Sequence, residues 1–221
     1  MRKAEVLSVV VLLLCLLFPV HCLASPSGLN NIPTADIAPY RVVVLQAWSN
    51  FAEGEDTSHF VGAKAGATKD LEVGLDAKAS PDGGPLTAQI KYRLPPLPKR
   101  PQLALGLANL STDRDRAGDP MPYLVATQAV SLSWRVHLGY SAQKHTSGLF
   151  LGADFTASPA LLLRADWVRP GSDDALGSLG ALWAPPDQPF ALEAWASFPA
   201  SPPSATVFTL KLDFPFSLAA S

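Results

Sequence analysis

His137 has the most chemistry to offer of any residue in the chain. It lies in a run where every second residue, from Leu132 through Trp134, Val136 and Leu138 to Tyr140, is apolar, while Ser133, Arg135, His137 and Ser141 share the other face. A serine activated by a histidine, itself held by a carboxylate, is the arrangement of acyl-transfer enzymes. Asp154, on the following run, is the candidate third member. His137 sits mid-run, however, away from the ends where loops assemble reactive groups. The spacing therefore predicts an interior histidine satisfied by a neighbouring carboxylate. His59 starts a run and His145 falls in a turn, with no partner motif beside either. Ser111 to Asp119 resembles the start of a calcium loop, with Asp113 and Asp115 as first ligands and Gly118 at the sharp turn. Ala117 takes a ligand position, Leu124 stands where the bidentate glutamate belongs, and Arg114 and Arg116 oppose the charge. That segment is expected to be an exposed loop with internal ion pairs. No phosphate-cradling loop, zinc spacing or dinucleotide fingerprint occurs. No residue is assigned a catalytic, cofactor-binding or metal-binding role, and no enzyme activity is expected.

The elements that position these residues must be short. The 221 residues are 48% hydrophobic and 16% charged, with 21 prolines. Twenty-one prolines disfavour long helices, because each costs roughly 3 kcal/mol in a helix interior. A net charge of -2 gives no electrostatic footprint for nucleic acid. Part of the hydrophobic content lies at the start. Arg2 and Lys3 precede the uncharged stretch Val6–Val20, and His21-Cys22-Leu23-Ala24 leads to Ser25. This order predicts a secretory signal over residues 1–24, cleaved after Ala24. Both cysteines, Cys15 and Cys22, would leave with it, and disulfides, thiol nucleophiles and cysteine metal sites with them.

Beyond residues 25–40, a lead-in expected on the periplasmic side, twelve alternating runs recur. They fall near 41–51, 58–66, 71–79, 86–94, 102–110, 122–130, 132–143, 148–156, 160–168, 174–184, 189–198 and 205–214. Proline, glycine and aspartate clusters such as Ser80 to Pro85, Pro170 to Asp173 and Pro185-Pro186-Asp187 separate them. Leu71, Val73, Leu75 and Ala77 alternate with Glu72, Gly74, Asp76 and Lys78. The last run sets Phe208, Leu210, Leu212 and Phe214 against Thr209, Lys211 and Asp213. Period two over so many segments is strand, and the sequence predicts an all-β, up-and-down antiparallel barrel over residues 41–221. The first, sixth and tenth runs leave their faces unassigned.

Alternation alone does not say whether the apolar face meets a core or a membrane. Three features favour a transmembrane barrel. Runs of about ten residues, tilted, match an apolar band about 25 Å tall. The polar face mixes Gly62, Gly74, Gly106, Gly139 and Gly152 with Lys64, Lys78, Lys91, Arg93, Arg135, Arg164 and Lys211 opposite Glu72, Asp76, Asp154, Asp166, Glu193 and Asp213, as a crowded, charge-paired lumen would. Trp48, Trp134, Trp167 and Trp183 stand near run ends, where interfacial girdles lie, although Trp195 shares parity with Glu193. The competing expectation is a secreted or periplasmic soluble barrel whose apolar faces enclose an apolar ligand.

The lead-in Gly28-Leu29-Asn30-Asn31-Ile32-Pro33-Thr34-Ala35-Asp36-Ile37-Ala38-Pro39 resembles the Gly-Leu-x-x-x-Pro-Thr-Ala-x-x-x-Pro opening of bacterial outer-membrane barrels of the YjbH-like, exopolysaccharide-associated family. This chain is much shorter than the large members of that family. The resemblance implies a barrel of the cell outer membrane, the lipid bilayer as its environment, and polysaccharide or envelope export components as partners. A narrow or closed lumen is expected from the crowding of the polar face.

Overall fold

The computed structural model describes residues 27–80, 83–96, 98, 100–143, 147–169, 175–200 and 205–218. The expected signal with its cysteines, His145, and the turn residues Pro81, Asp82 and Pro170 to Asp173 lie outside the described residues. The chain forms a closed twelve-stranded antiparallel barrel: β1 (Val42–Ala52), β2 (Ser58–Gly66), β3 (Leu71–Lys78), β4 (Leu86–Arg93), β5 (Gln102–Leu110), β6 (Met121–Ala129), β7 (Trp134–Ser141), β8 (Gly148–Ser158), β9 (Leu161–Val168), β10 (Leu176–Trp183), β11 (Ala191–Pro199) and β12 (Val207–Ser217). Each strand pairs with its sequence neighbours, and β1 closes on β12 along its whole length, from Val42 opposite Ser217 to Ala52 opposite Val207. Every strand falls within a few residues of a predicted run.

Two rims follow from the even strand number. Odd strands start, and even strands end, at a near rim that holds the beginning of β1 and the end of β12. The ladder is interrupted twice, between Ala88 and Ile90 on β4 and between Thr156 and Ser158 on β8. At the first, Asn109 of β5 takes a φ of 56°, a left-handed conformation asparagine tolerates.

The apolar face points outward. Leu75, Leu138, Leu151, Leu163, Leu179 and Leu210 are exposed, while Glu72, Asp154, Arg164, Asp166, Glu193 and Asp213 are buried within. The alternative of apolar faces enclosing an apolar ligand is therefore corrected: those faces form the outer belt. Aromatic side chains border the belt at both rims. Trp134 packs on Phe155 at 4.8 Å, and Phe190 bridges Trp183 and Phe214 near one rim. Phe51 and Phe208 face each other across β1 and β12 near the other. Trp48 departs from its expected girdle position. It shares parity with Gln46, turns into the lumen and stacks on Phe60 at 5.2 Å.

An arginine placed in the belt tests this assignment. Leu138 is mid-strand and 54% exposed on the outside. Leu138→Arg should destabilise the bilayer-embedded barrel by about 2–4 kcal/mol. Refolding into lipid vesicles, followed by the temperature at which the compact gel band is lost, measures it; an unchanged temperature would place Leu138 away from lipid.

Inside, three lumen glycines stand directly opposite aromatic residues on the neighbouring strand: Gly106 opposite Tyr123, Gly139 opposite Phe150 and Gly180 opposite Trp195. A Cβ on any of the three would collide with the facing ring. The aromatic ring covers the bare backbone, a cross-strand pairing that stabilises glycine in a strand. This accounts for three of the small residues on the polar face and for Trp195, which is a lumen residue; Gly62 and Gly74 instead lie under Asp76 and Gln89, and Gly152 under Leu29 and Ile32.

Candidate functional site

The lumen is filled from the near rim by the segment before β1. Leu29 N–H donates to the Ile32 carbonyl at 2.9 Å and Gly28 pairs with Pro33, so residues 27–34 form a tight hairpin whose tip is Asn30-Asn31. The return limb, Ala35 to Pro39, runs back to the rim and turns into β1 at Arg41, whose φ is 62°. Gly66 lets it pass: a Cβ there would strike the carbonyl oxygens of Ala38 and Pro39. Where the hairpin is buried against the inner wall, its polar groups must find partners on the hairpin or the wall.

Glu72 and Lys91 hold both limbs. The Ser27 hydroxyl donates to Glu72 Oε1 at 2.6 Å, and the Ala38 N–H to Oε2 at 2.7 Å. Lys91 Nζ donates to the Ser27 carbonyl and, at 2.8 Å, to the Asp36 carbonyl, while lying 3.8 Å from Glu72. The tip is caught across the lumen. Asp166 accepts from the Asn31 N–H at 2.9 Å and from its side-chain amide at 3.0 Å. The same amide reaches Ser178 at 2.6 Å, and Asn30 donates to Ser197 at 2.9 Å.

His137 belongs to a third anchor. The Ala35 N–H donates to Thr127 Oγ1 at 2.9 Å, so the Thr127 hydroxyl proton is free for His137 Nδ1, also at 2.9 Å. In that arrangement the His137 Nε2 proton faces Asp154 at 3.2 Å. Arg135 joins Asp154, at 2.5 Å, to both carboxylate oxygens of Asp36 on the hairpin, at 3.0 and 3.1 Å. The expected carboxylate partner of His137 is thus in place. Neither Ser133 nor Ser141 bonds to the imidazole among the described residues, and both ring nitrogens are engaged in holding the hairpin.

A fourth cluster centres on Glu193, whose Oε2 accepts from Arg164 at 3.1 Å and Trp195 Nε1 at 3.0 Å, and whose Oε1 accepts from Lys211 at 3.0 Å. Lys211 also lies 3.6 Å from Asp213, which accepts from Gln46 at 2.7 Å. Apolar contacts complete the docking: Leu29, Ile32 and Ala35 pack with Ala104, Tyr123, Val125, Phe150 and Trp195. Burying Leu29 and Ile32 contributes about 1.5–3 kcal/mol each.

The remaining candidates lie elsewhere. His59 is outside the barrel, its Nδ1 2.8 Å from the Ser49 hydroxyl. The segment resembling a calcium loop forms one helical turn, Arg114–Ala117, which Asp113 caps by accepting from the Arg116 N–H. Arg116 reaches the Gly83 carbonyl and Gln143 reaches that of Asp119, so the far-rim connections are tied together.

A twelve-stranded barrel, apolar outside and polar within, is the architecture of bacterial outer-membrane channels. Solved structures that this chain resembles include proteins of that kind. The KdgM porin superposes with a TM-score of 0.62 at 10% identity, over 78% of this chain and 99% of that one; it has also been solved in complex with disordered oligogalacturonate. The COG4313 outer membrane channel from Pseudomonas putida F1 gives 0.58 at 10% identity, over 82% and 98%. The NanC porin gives 0.58 at 6% identity, over 77% and 98%. What is shared at these identities is the fold. No known protein family and no curated protein matches the sequence. The likeness to YjbH-like barrels therefore rests on residues 28–39 alone.

Proposed function

We propose that this chain is a non-enzymatic outer-membrane β-barrel, exported by a cleaved amino-terminal signal, whose lumen is narrowed by its own first segment and which supports cell-envelope or surface-polysaccharide export. The observation that carries the reading is the docked hairpin: residues 27–39 bond to seven side chains of the inner wall, and the belt outside is apolar. The porin and channel neighbours support the membrane setting at the level of fold. On this orientation the near rim faces the periplasm. Two supports favour a polysaccharide link: the likeness of residues 28–39 to YjbH-like openings, and the oligogalacturonate complex of the KdgM porin. With the hairpin in place the role is exercised beside a polymer rather than by threading one.

Fractionation tests the location. The protein should stay with outer membranes until detergent is added and run faster on gels before boiling than after; release into the soluble periplasm would refute the membrane reading. Large, stable conductance in planar bilayers would refute the narrow lumen. A knock-out strain with unaltered surface polysaccharide would remove the polysaccharide link.

A further inference from the structure

The hairpin lies to one side. Apart from its near-rim anchors, Glu72 on β3 and Lys91 on β4, its tip and return limb bond to Thr127, Arg135, Asp166, Ser178 and Ser197, on β6, β7, β9, β10 and β11. Its apolar residues press on the same half of the barrel. Between it and the opposite wall, β12 and β1 to β4, lies a cavity of about 250 Å³. Gln46, Trp48, Lys64, Asp76, Gln89 and Lys211 line that wall.

The charges around this cavity are unequally satisfied. Both oxygens of Glu193 are bonded, and Lys211 lies between Glu193 and Asp213. Lys91 is held by Glu72 and by the carbonyls of Ser27 and Asp36. Asp76 accepts from Gln89 at 3.0 Å through one oxygen, while the other, packed over Gly62 of the barrel wall, has no hydrogen-bond partner among the described residues. Lys64 is different. Among the described residues no hydrogen bond or ion pair reaches its ammonium, and Asp76 attracts it only through space. Gln46 and Gln89 each donate an amide hydrogen to a carboxylate, and both line the cavity.

An unpaired cation between low-dielectric walls concentrates anions from solution. A water molecule occupies about 30 Å³ in the liquid, so the cavity holds one small ion with a few waters and no polymer. We propose that the gap beside the hairpin is a narrow passage with a binding site for one small oxyanion, a carboxylate or phosphate, and that Lys64 determines its selectivity. The inference rests on the membrane-barrel reading above.

Planar bilayers containing the full barrel, checked first for heat-modifiable mobility, test it across a potassium chloride gradient. The expected current is small, with chloride favoured over potassium by about tenfold. Millimolar inorganic phosphate or acetate on one side should block that current, and their relative potency separates a phosphate site from a carboxylate site. Lys64→Gln should abolish both the preference and the block, and Lys64→Glu should reverse the preference. Lys69→Gln, on the exposed β2–β3 turn, should behave as the unaltered protein. No current from the folded barrel overturns the passage and leaves the membrane reading standing. Chloride preference without a block overturns the oxyanion site, and unchanged selectivity in Lys64→Gln overturns the role of Lys64. A barrel without heat-modifiable mobility would instead contradict the membrane reading.

Discussion

A barrel lacking residues 27–38 should still close, and should conduct several times more current than the intact protein. The sheet does not depend on the hairpin: β1 pairs with β12 and β2 through its own backbone from Val42 onward. The deletion removes the only chain segment seen in the lumen among the described residues, and leaves Ala104, Tyr123, Val125 and Phe150 facing water. It also deprives Asp166 of both Asn31 bonds and Arg135 of Asp36. The loss of Leu29 and Ile32 burial, about 1.5–3 kcal/mol each, should lower the temperature at which the compact gel band disappears. Conductance in planar bilayers decides the matter, and an unchanged conductance would mean that the constriction lies elsewhere, in the far-rim loops.

Glu72→Ala should release the hairpin without deleting it. Glu72 is 1% exposed, and it is the acceptor for Ser27 and Ala38 and the counter-charge of Lys91. Removing one member of such a buried pair costs about 3–5 kcal/mol, because the remaining charge is stranded. That exceeds the burial of either Leu29 or Ile32 alone, so the hairpin should leave the wall for part of the time. Limited proteolysis should then cut within residues 27–39, where the unaltered protein resists, and the bilayer current should become noisy. Glu72→Gln separates shape from charge: it keeps an acceptor oxygen but leaves Lys91 uncompensated, and should resemble the alanine variant. Resistance to protease in both variants would show that the apolar contacts suffice to hold the hairpin.

Most strands were legible because an apolar outer belt and polar groups inside impose period two on their runs, and because most prolines fall in the turns, with Pro122, Pro199 and Pro215 near strand ends. The first and sixth runs resisted assignment for a physical reason. Their inward residues Val42, Val44, Tyr123 and Val125 are apolar, so the inner face there is no more polar than the outer one. Tyr123 and Val125 face the hairpin, and their apolar character was the available sign that something apolar enters the lumen. Leu29 and Ile32 are its counterpart in the lead-in, but a hairpin with Pro33 and Pro39 has no period to read. The link from His137 to Asp154 was visible from strand parity. Its extension through Thr127 and Arg135 to Ala35 and Asp36 was not, since those partners are about a hundred residues apart in the chain.

The tip of the hairpin ends inside, and its return limb reaches β1 at the near rim through Pro39. This segment forms none of the twelve strands. It can slide in or out by its tip while every rung of the sheet stays intact, like a bolt entering a finished cylinder. The most distant pairing of the chain, β1 with β12, can therefore be completed first and the interior filled afterwards. Closure of the barrel and occlusion of the bore are separable steps in the making of this protein.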